Sequence, residues 1–258
     1  MTSYPSLKDR VVFISGGGSG IGASLVEHFA LQGARVAFCD IDAEASAALV
    51  ARLAAPALHA PTFEICDVRD IAAYQACLDR VARELGPVRA LVNNAGNDTR
   101  HSLEELTPEY WANCLALNLT HHVFAIQKVA PGMADAGGGS VINLGSVSWM
   151  RGRPSLIGYT AAKAAISGIS RTLARELGDR NIRVNTLVPG AIVTERQQAM
   201  WRNPAEDQKF IELQCLKFRF DPAHVARTAL FLAADDSNGI TGQNIIVDAG
   251  LAQVSVAG

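Results

Sequence analysis

Tyr159 and Lys163 stand four residues apart at the head of an alanine-rich stretch, Ala161-Ala162-Lys163-Ala164-Ala165, whose composition favours a helix. Residues at i and i+4 share one helix face, so the phenol and the ammonium can address the same space. A free phenol titrates near about 10 and is a poor base at neutral pH. A neighbouring cation favours the phenolate, and a lowering by roughly three units corresponds to about 4 kcal/mol of differential interaction. A tyrosine tuned in this way can take a proton from an alcohol or return one to a carbonyl. The spacing alone also fits an exposed lysine beside a buried tyrosine. The elements that would position the pair therefore decide its meaning.

Arg10 to Ser15 is a short apolar run rich in β-formers, the pattern of a buried parallel strand. Gly16-Gly17-Gly18-Ser19-Gly20-Ile21-Gly22 follows, and then Ala23 to Leu31 with helical periodicity. Strand, glycine loop and helix in this order form a phosphate-binding context. Bare amides at a helix N-terminus bind anions, and glycines let phosphates approach the backbone closely. Arg35 to Asp40 reads as a second strand, closed by Asp40 eighteen residues after Gly22. A carboxylate there can accept both hydroxyls of an adenosine ribose and repels a 2′-phosphate. Ile41 follows it, where a phosphate-binding arginine could otherwise stand. The pattern favours NAD over NADP. Asp67-Val68, after a third strand, is placed either to meet the adenine or to cap the strand end.

Thr62 to Cys66, Arg89 to Val92, Ser140 to Leu144, Ile182 to Val188 and Gln243 to Val247 read as further strands, with helical stretches between them. Strands alternating with helices predict an α/β fold, a Rossmann-type doubly wound parallel sheet with helices on both faces. The expectation is a single dinucleotide-binding and catalytic domain, residues 1–258. Ligands of such sheets lie at the carboxyl ends of the strands, and every glycine-rich or polar cluster falls there. Glu109 to Met133 reads as a long, mostly helical stretch containing Asn118, a poor interior helix residue. Residues 190–220 are polar, contain a helix and have room to cover the strand ends as a lid.

Composition excludes several classes. The chain has 258 residues, 49% of them hydrophobic and 19% charged, with net charge −2 and no basic tract. That balance argues against nucleic acid or an anionic membrane surface as partner. Apolar runs are too short to span a membrane and the first residues form no signal region, so a cytoplasmic protein is expected. The five cysteines are scattered and lack a C-x-x-C, which predicts buried free thiols and no metal. His121 and His122 are adjacent and should point to different sides of a helix, as structural or lining groups.

Taken together, the motifs resemble the short-chain dehydrogenases/reductases along nearly the whole chain. The carriers are Gly16-x-x-x-Gly20-Ile21-Gly22, Asn93-Asn94-Ala95-Gly96, Asn118, Ser146 thirteen residues before Tyr159, Tyr159-x-x-x-Lys163 and Pro189-Gly190. Ser15 stands where that family usually has threonine, so a hydroxyl is kept. The resemblance implies an acid/base Tyr159, a Lys163 that lowers its pKa and holds the nicotinamide ribose, a Ser146 that holds the substrate oxygen, and an Asn118 that anchors a water. It implies NAD held by Gly16, Ser19, Gly20, Ile21 and Gly22 at the pyrophosphate and by Asp40 at the adenosine ribose. Asp67 and Val68 would meet adenine, Asn94, Ala95 and Gly96 would line the ribose, and Pro189, Gly190, Ile192 and Thr194 would contact the nicotinamide end. Homotetramers are also implied.

Further stretches are more particular. Tyr4-Pro5-Ser6-Leu7-Lys8, Asn97-Asp98-x-Arg100-His101, Ser146-x-Ser148-Trp149, Thr194-x-Arg196-Gln197 and Gln214-Cys215-Leu216-Lys217 are similar to bacterial NAD-dependent aldose dehydrogenases acting on D-xylose. These oxidise the anomeric hydroxyl to a lactone. The similarity implies a sugar substrate met by Asn97, Asp98, Ser146, Ser148, Trp149, Tyr159, Arg196 and Gln197. The alternatives are another polyol or hydroxy-acid dehydrogenase, or a 3-oxoacyl reductase, against which Asp40 speaks. A silent binding protein would be expected to have lost Tyr159, Lys163 or Ser146, and all three are present.

Overall fold

The computed structural model describes residues 2–192 and 204–253. Seven parallel strands form one sheet: β1 (Val11–Ser15), β2 (Arg35–Asp40), β3 (Thr62–Ile65), β4 (Ala90–Asn93), β5 (Gly139–Leu144), β6 (Ile182–Pro189) and β7 (Asn244–Val247). Their order across the sheet is β3-β2-β1-β4-β5-β6-β7. The helices are α1 (Gly20–Leu31), α2 (Ala43–Leu53), α3 (Ile71–Leu85), α4 (Pro108–Leu115), α5 (His121–Asp135), α6 (Ile157–Leu177), α7 (Pro204–Leu213) and α8 (Pro222–Ala233). The doubly wound α/β expectation is met.

Parallel strands need crossovers, and crossover helices cover both faces of the sheet. Every residue of β1, β4 and β6 is accordingly buried. One face packs Leu25, Phe29, Val36, Phe38 and Leu230 together. The other packs Phe13, Tyr74, Leu78, Leu91, Ile126 and Met133. Each fully buried large side chain contributes about 1.5–3 kcal/mol. The chain winds outward through β2 and β3, then returns to lay β4 on the far side of β1. That reversal opens a crevice at the carboxyl ends of β1 and β4, where doubly wound sheets bind ligands.

Local chemistry sets the helix ends. Asp42 caps α2 through the Ala45 amide at 3.0 Å, and Asp70 caps α3 through Ala73 at 3.0 Å. Gly86, at φ 99, ends α3 in a conformation that side chains rarely adopt. The stretch Glu109 to Met133 is mostly helical as expected: α4 runs into α5 through a π-helical turn, Ala116–Thr120, with Asn118 at its centre. Asn118 drives this, because its side-chain amide bonds the Cys114 carbonyl of the preceding turn and the Asn97 backbone, competing with the regular ladder. His121 and His122 do not diverge, since their rings lie 4.4 Å apart between centroids and both are buried. No helix among the described residues is long and apolar enough to cross a membrane.

A buried polar ladder ties the sheet to α6. The Asn93 amide donates to Asn143 Oδ1 at 2.9 Å, and the Asn143 amide donates to Ser170 Oγ at 3.0 Å. Thr186 Oγ1 donates to the same Ser170 oxygen at 2.8 Å. Four elements, β4, β5, α6 and β6, are thereby held in register. Replacing Asn143 by Ala strands the buried Asn93 donor and should destabilise the fold by about 1–3 kcal/mol. A denaturant midpoint that does not fall would show that the ladder contributes nothing.

Candidate active site

A cleft of about 730 Å³ crosses the carboxyl ends of the strands, from Asp40 and Asp67 at one end to Ser146, Tyr159 and Lys163 at the other. The glycine loop forms its floor. Gly16 takes φ 66 and Gly20 φ 54, values that favour glycine. A Cβ on Gly22 would lie 1.8 Å from the Gly16 carbonyl oxygen, so only hydrogen fits there. Ser19 stands at the N-cap of α1 without a side-chain capping bond. The amides of the first turn therefore face the cleft without a capping oxygen, as anion sites do.

Asp40 is held in place by three backbone amides. Its Oδ2 accepts from Gly18 at 2.8 Å, and its Oδ1 accepts from Ile41 at 2.8 Å and Asp42 at 3.0 Å. Asp67 is different. Arg69 binds its carboxylate, keeps its pKa below the usual range and also donates to Asn113 Oδ1 at 2.9 Å. Asp67 thus reaches the cleft with its charge largely balanced, beside a buried Val68.

The Asn94 loop is stitched to the glycine loop. Ser15 Oγ accepts the Asn94 and Ala95 amides at 3.0 and 3.1 Å. The Asn94 side chain donates to the Ser15 and Gly16 carbonyls at 3.1 and 2.8 Å. The hydroxyl kept at Ser15 is what does this. His121 Nε2 bonds the Ala95 carbonyl at 3.1 Å. Burial pushes that imidazole down to about 3, so the ring is neutral and Nε2 carries the donating proton. Asn118 Oδ1 accepts the Asn97 amide at 2.8 Å. A Cβ on Gly96 would come within 2.8 Å of that Oδ1.

Tyr159 and Lys163 project from the first turns of α6. The Lys163 side chain is buried, with Nζ donating to the Leu144 carbonyl at 2.8 Å and lying 5.6 Å from the Tyr159 ring centroid. Burial pushes the ammonium down to about 8, against the attraction of Asp98. Tyr159 is pushed up to about 12, first by burial and then by Asp98, while a hydrogen bond from Ser146 and the charge of Arg153 oppose this. The expectation of a phenol acidified by Lys163 is therefore not met in this arrangement. The ammonium is engaged by a carbonyl and lies over the ring, and desolvation wins. Ser146 Oγ donates to Ser148 Oγ at 2.9 Å and accepts the Ser148 amide at 3.1 Å.

Of the residues named from sequence for the substrate, Asn97, Asp98, Ser146, Ser148 and Tyr159 line the cleft. Trp149 is not among its lining residues, and its buried indole N–H has no partner among the described residues. Pro189, Gly190 and Ile192 line the cleft. Thr194, Arg196 and Gln197 lie outside the described residues. Sequence reasoning missed Asn113, Leu117, Arg151 and Arg153, which also line it. Arg151-Gly152-Arg153, a basic triplet between Ser146 and Tyr159, was the available signal. Three of the five thiols, Cys39, Cys66 and Cys77, are buried, whereas Cys114 is half-buried and Cys215 exposed. Among the described residues no group of three or more His, Cys, Asp or Glu side chains could hold a metal ion.

Known proteins share this arrangement. Residues 16–252 match the family model described as enoyl-(acyl carrier protein) reductase. A D-xylose 1-dehydrogenase of Caulobacter vibrioides is 49% identical over 96% of this chain and 97% of its own length. A protein of Rhizobium meliloti named "probable galactose dehydrogenase GalD" is 46% identical over 97% of this chain and 98% of its own. A short-chain type dehydrogenase/reductase from Mycobacterium ulcerans superposes with a TM-score of 0.91 at 26% identity, covering 98% of this chain and 92% of that one. The chain belongs to the short-chain dehydrogenase/reductase family. It is an oxidoreductase fold with a dinucleotide-sized cleft.

In the free protein the Tyr159 phenol should ionise near pH 12. Ultraviolet difference titration of the wild type against Tyr159→Phe isolates it. A phenolate forming below the ordinary value of 10.0 would mean that Lys163, and not burial, dominates.

Proposed function

We propose that this protein is an NAD-dependent aldose 1-dehydrogenase that oxidises the anomeric hydroxyl of D-xylose or a related pentose or hexose to the aldonolactone. The reading is carried by one observation: a glycine cradle, a ribose-ready Asp40 and the Ser146–Tyr159–Lys163 set share a single cleft. The names of the relatives support the sugar. The residues present fit the dinucleotide. Gly16, Ser19, Gly20, Ile21 and Gly22 leave a space at a helix N-terminus that side chains would fill. Asp40 would accept the adenosine ribose hydroxyls, and Asp67 and Val68 would flank adenine. Asn94, Ala95, Gly96 and Lys163 would hold the second ribose. Pro189, Gly190, Ile192 and Thr194 would meet the carboxamide end.

When bound, NAD supplies the hydride acceptor and a cationic ring. In oxidation Tyr159 would take the anomeric O–H proton while the bound cofactor would supply the acceptor for the C1 hydride, leaving the C1 carbonyl of the lactone. Ser146 orients the reacting oxygen. Lys163, its ammonium 5.6 Å from the phenol ring centroid, would oppose the effect of burial on the phenol while it stays protonated. Asn118 acts through the backbone of Asn97, which it clamps against the π turn. Tyr159 must be deprotonated to act as base, so the oxidation rate rises with pH; in the reductive direction the protonated phenol donates and the dependence reverses.

The remaining parts of this reading concern assembly. The chain acts as one unit of residues 1–258; of the expected lid, 190–220, residues 193–203 lie outside the described residues. It forms a cytoplasmic homotetramer, its subunit contacts in line with exposed apolar side chains such as Leu216 and Ile246.

An NAD-linked absorbance screen over D-xylose, L-arabinose, D-galactose, D-glucose and L-fucose should show turnover with at least one of them. Silence with all five would end the sugar reading. Tyr159→Phe should lower kcat by about a thousandfold or more, in the range of a lost acid/base group, while NAD affinity stays within a few-fold. Separately, Asp40→Ala should reduce the NAD-over-NADP preference by about tenfold, the order of one charged hydrogen bond. Equal ratios of kcat/KM in wild type and variant would remove Asp40 from cofactor selection.

A further inference from the structure

Beside the Tyr159 end of the catalytic cleft lies a second cavity, of about 380 Å³. Arg100, Arg151, Arg153 and Lys209 line it over the apolar surfaces of Pro154 and Phe210. Arg151 and Arg153 line both spaces, so the two adjoin through this pair. No carboxylate lines the second cavity among the described residues. Asp98 lines the adjoining catalytic cleft, where its charge acts on Tyr159 and Lys163.

Arg151 is the informative member. Its Nε is buried and has no hydrogen-bond partner among the described residues. A buried guanidinium N–H without an acceptor is costly, and native structures seldom leave one. Arg153 lies over the Phe210 ring at 5.2 Å, and both it and Arg100 have partners of their own, so neither is counted as spare. Lys209, on the exposed side of α7, adds a second charge at the mouth.

We infer that this cavity receives an anionic group, a carboxylate or phosphate, carried by the substrate at the end remote from its anomeric carbon. The inference rests on the aldose reading and deepens it. The planar fork of Arg151 matches either oxyanion, and such charge-assisted pairs are about twice as strong as neutral ones. Asp98 repels the same anion from the Tyr159 end. One attractive and one repulsive element thus orient the sugar, with C1 toward the phenol and the charged end toward Arg151. A neutral aldose satisfies the hydroxyl-binding groups and leaves Arg151 without its counter-ion.

D-Galactose, D-galacturonate and D-galactose 6-phosphate share one ring stereochemistry and differ at C6, which makes them the test with NAD and the full chain. At least one anion should exceed D-galactose in kcat/KM by about tenfold or more, chiefly through KM, with the advantage shrinking in high salt. The better of the two identifies carboxylate or phosphate as the recognised group. Arg151→Gln should reduce the anion-to-galactose ratio about tenfold, and Lys209→Gln, at an exposed position that the fold does not need, should reduce it less. Equal or better use of D-galactose, or ratios unchanged in both variants, would overturn the inference while leaving the aldose reading intact. Should none of the three sugars turn over, the aldose reading fails for them. Calorimetric titration with inorganic phosphate then decides the cavity: binding lost in Arg151→Gln supports an anion site, and equal heats in wild type and variant reject it.

Discussion

The Lys163 ammonium sits in the interior with a backbone carbonyl as its acceptor, and much of the site is arranged around that fact. Burying a charge is expensive, and the group responds by easing toward its neutral form. Burial keeps His121 and His122 neutral, and the same ammonium adds to it. Neutral His121 can then hold the Ala95 carbonyl, and with it the loop that faces the glycine cradle. The Leu144 carbonyl that receives the ammonium comes from the end of β5, one residue before the turn that delivers Ser146. A single buried cation therefore stands between Tyr159, the turn that carries Ser146 and the loop of Ala95.

The relation between Tyr159 and Lys163 is subtler than spacing suggests. Four residues of helix do bring the two together, and the distance of 5.6 Å from ammonium to ring centroid is well within electrostatic reach. Yet the phenol is pushed upward, because the desolvation of its anion outweighs a cation aimed at a carbonyl. A neutral phenol is the correct state for protonating a carbonyl. Base catalysis asks for more positive charge around it than Lys163 alone supplies in this geometry.

How far the fold could be read from sequence follows from period and punctuation. β1 is an apolar run ending at a glycine loop, and β2, β5 and β6 are β-rich stretches of largely buried residues; all four folded as strands. The glycine loop was legible because only hydrogen fits at Gly22, a constraint that leaves its mark in the sequence. The break at Ala116–Thr120 was not legible as a π turn, since it depends on Asn118 meeting Asn97, a partner twenty-one residues away. The ring contact of His121 with His122 escaped for a related reason: side-chain rotation, not position on the helical wheel, brought the rings together. Trp149 looked like a sugar platform by type and place, but its direction depends on how the Ser146–Tyr159 loop folds back. Arg151 and Arg153 reach the cleft by the same folding, which sequence periodicity cannot express.

The distribution of charge along the cleft gives the site a direction. At the adenosine end, Asp40 is held by three amides and Asp67 is matched by Arg69, so a carboxylate is presented to hydroxyls without a large negative field. At the floor, the glycine loop and the start of α1 present uncapped amides. Asp98, Arg151 and Arg153 also line the cleft. A dinucleotide laid along this gradient meets an acceptor, then donors, then the reacting groups. The cations beyond those groups cannot serve the same end of that ligand, because the phosphates are already met by the glycine loop. Their place on the substrate side makes the far wall a selector of what is oxidised, separate from the machinery that oxidises it.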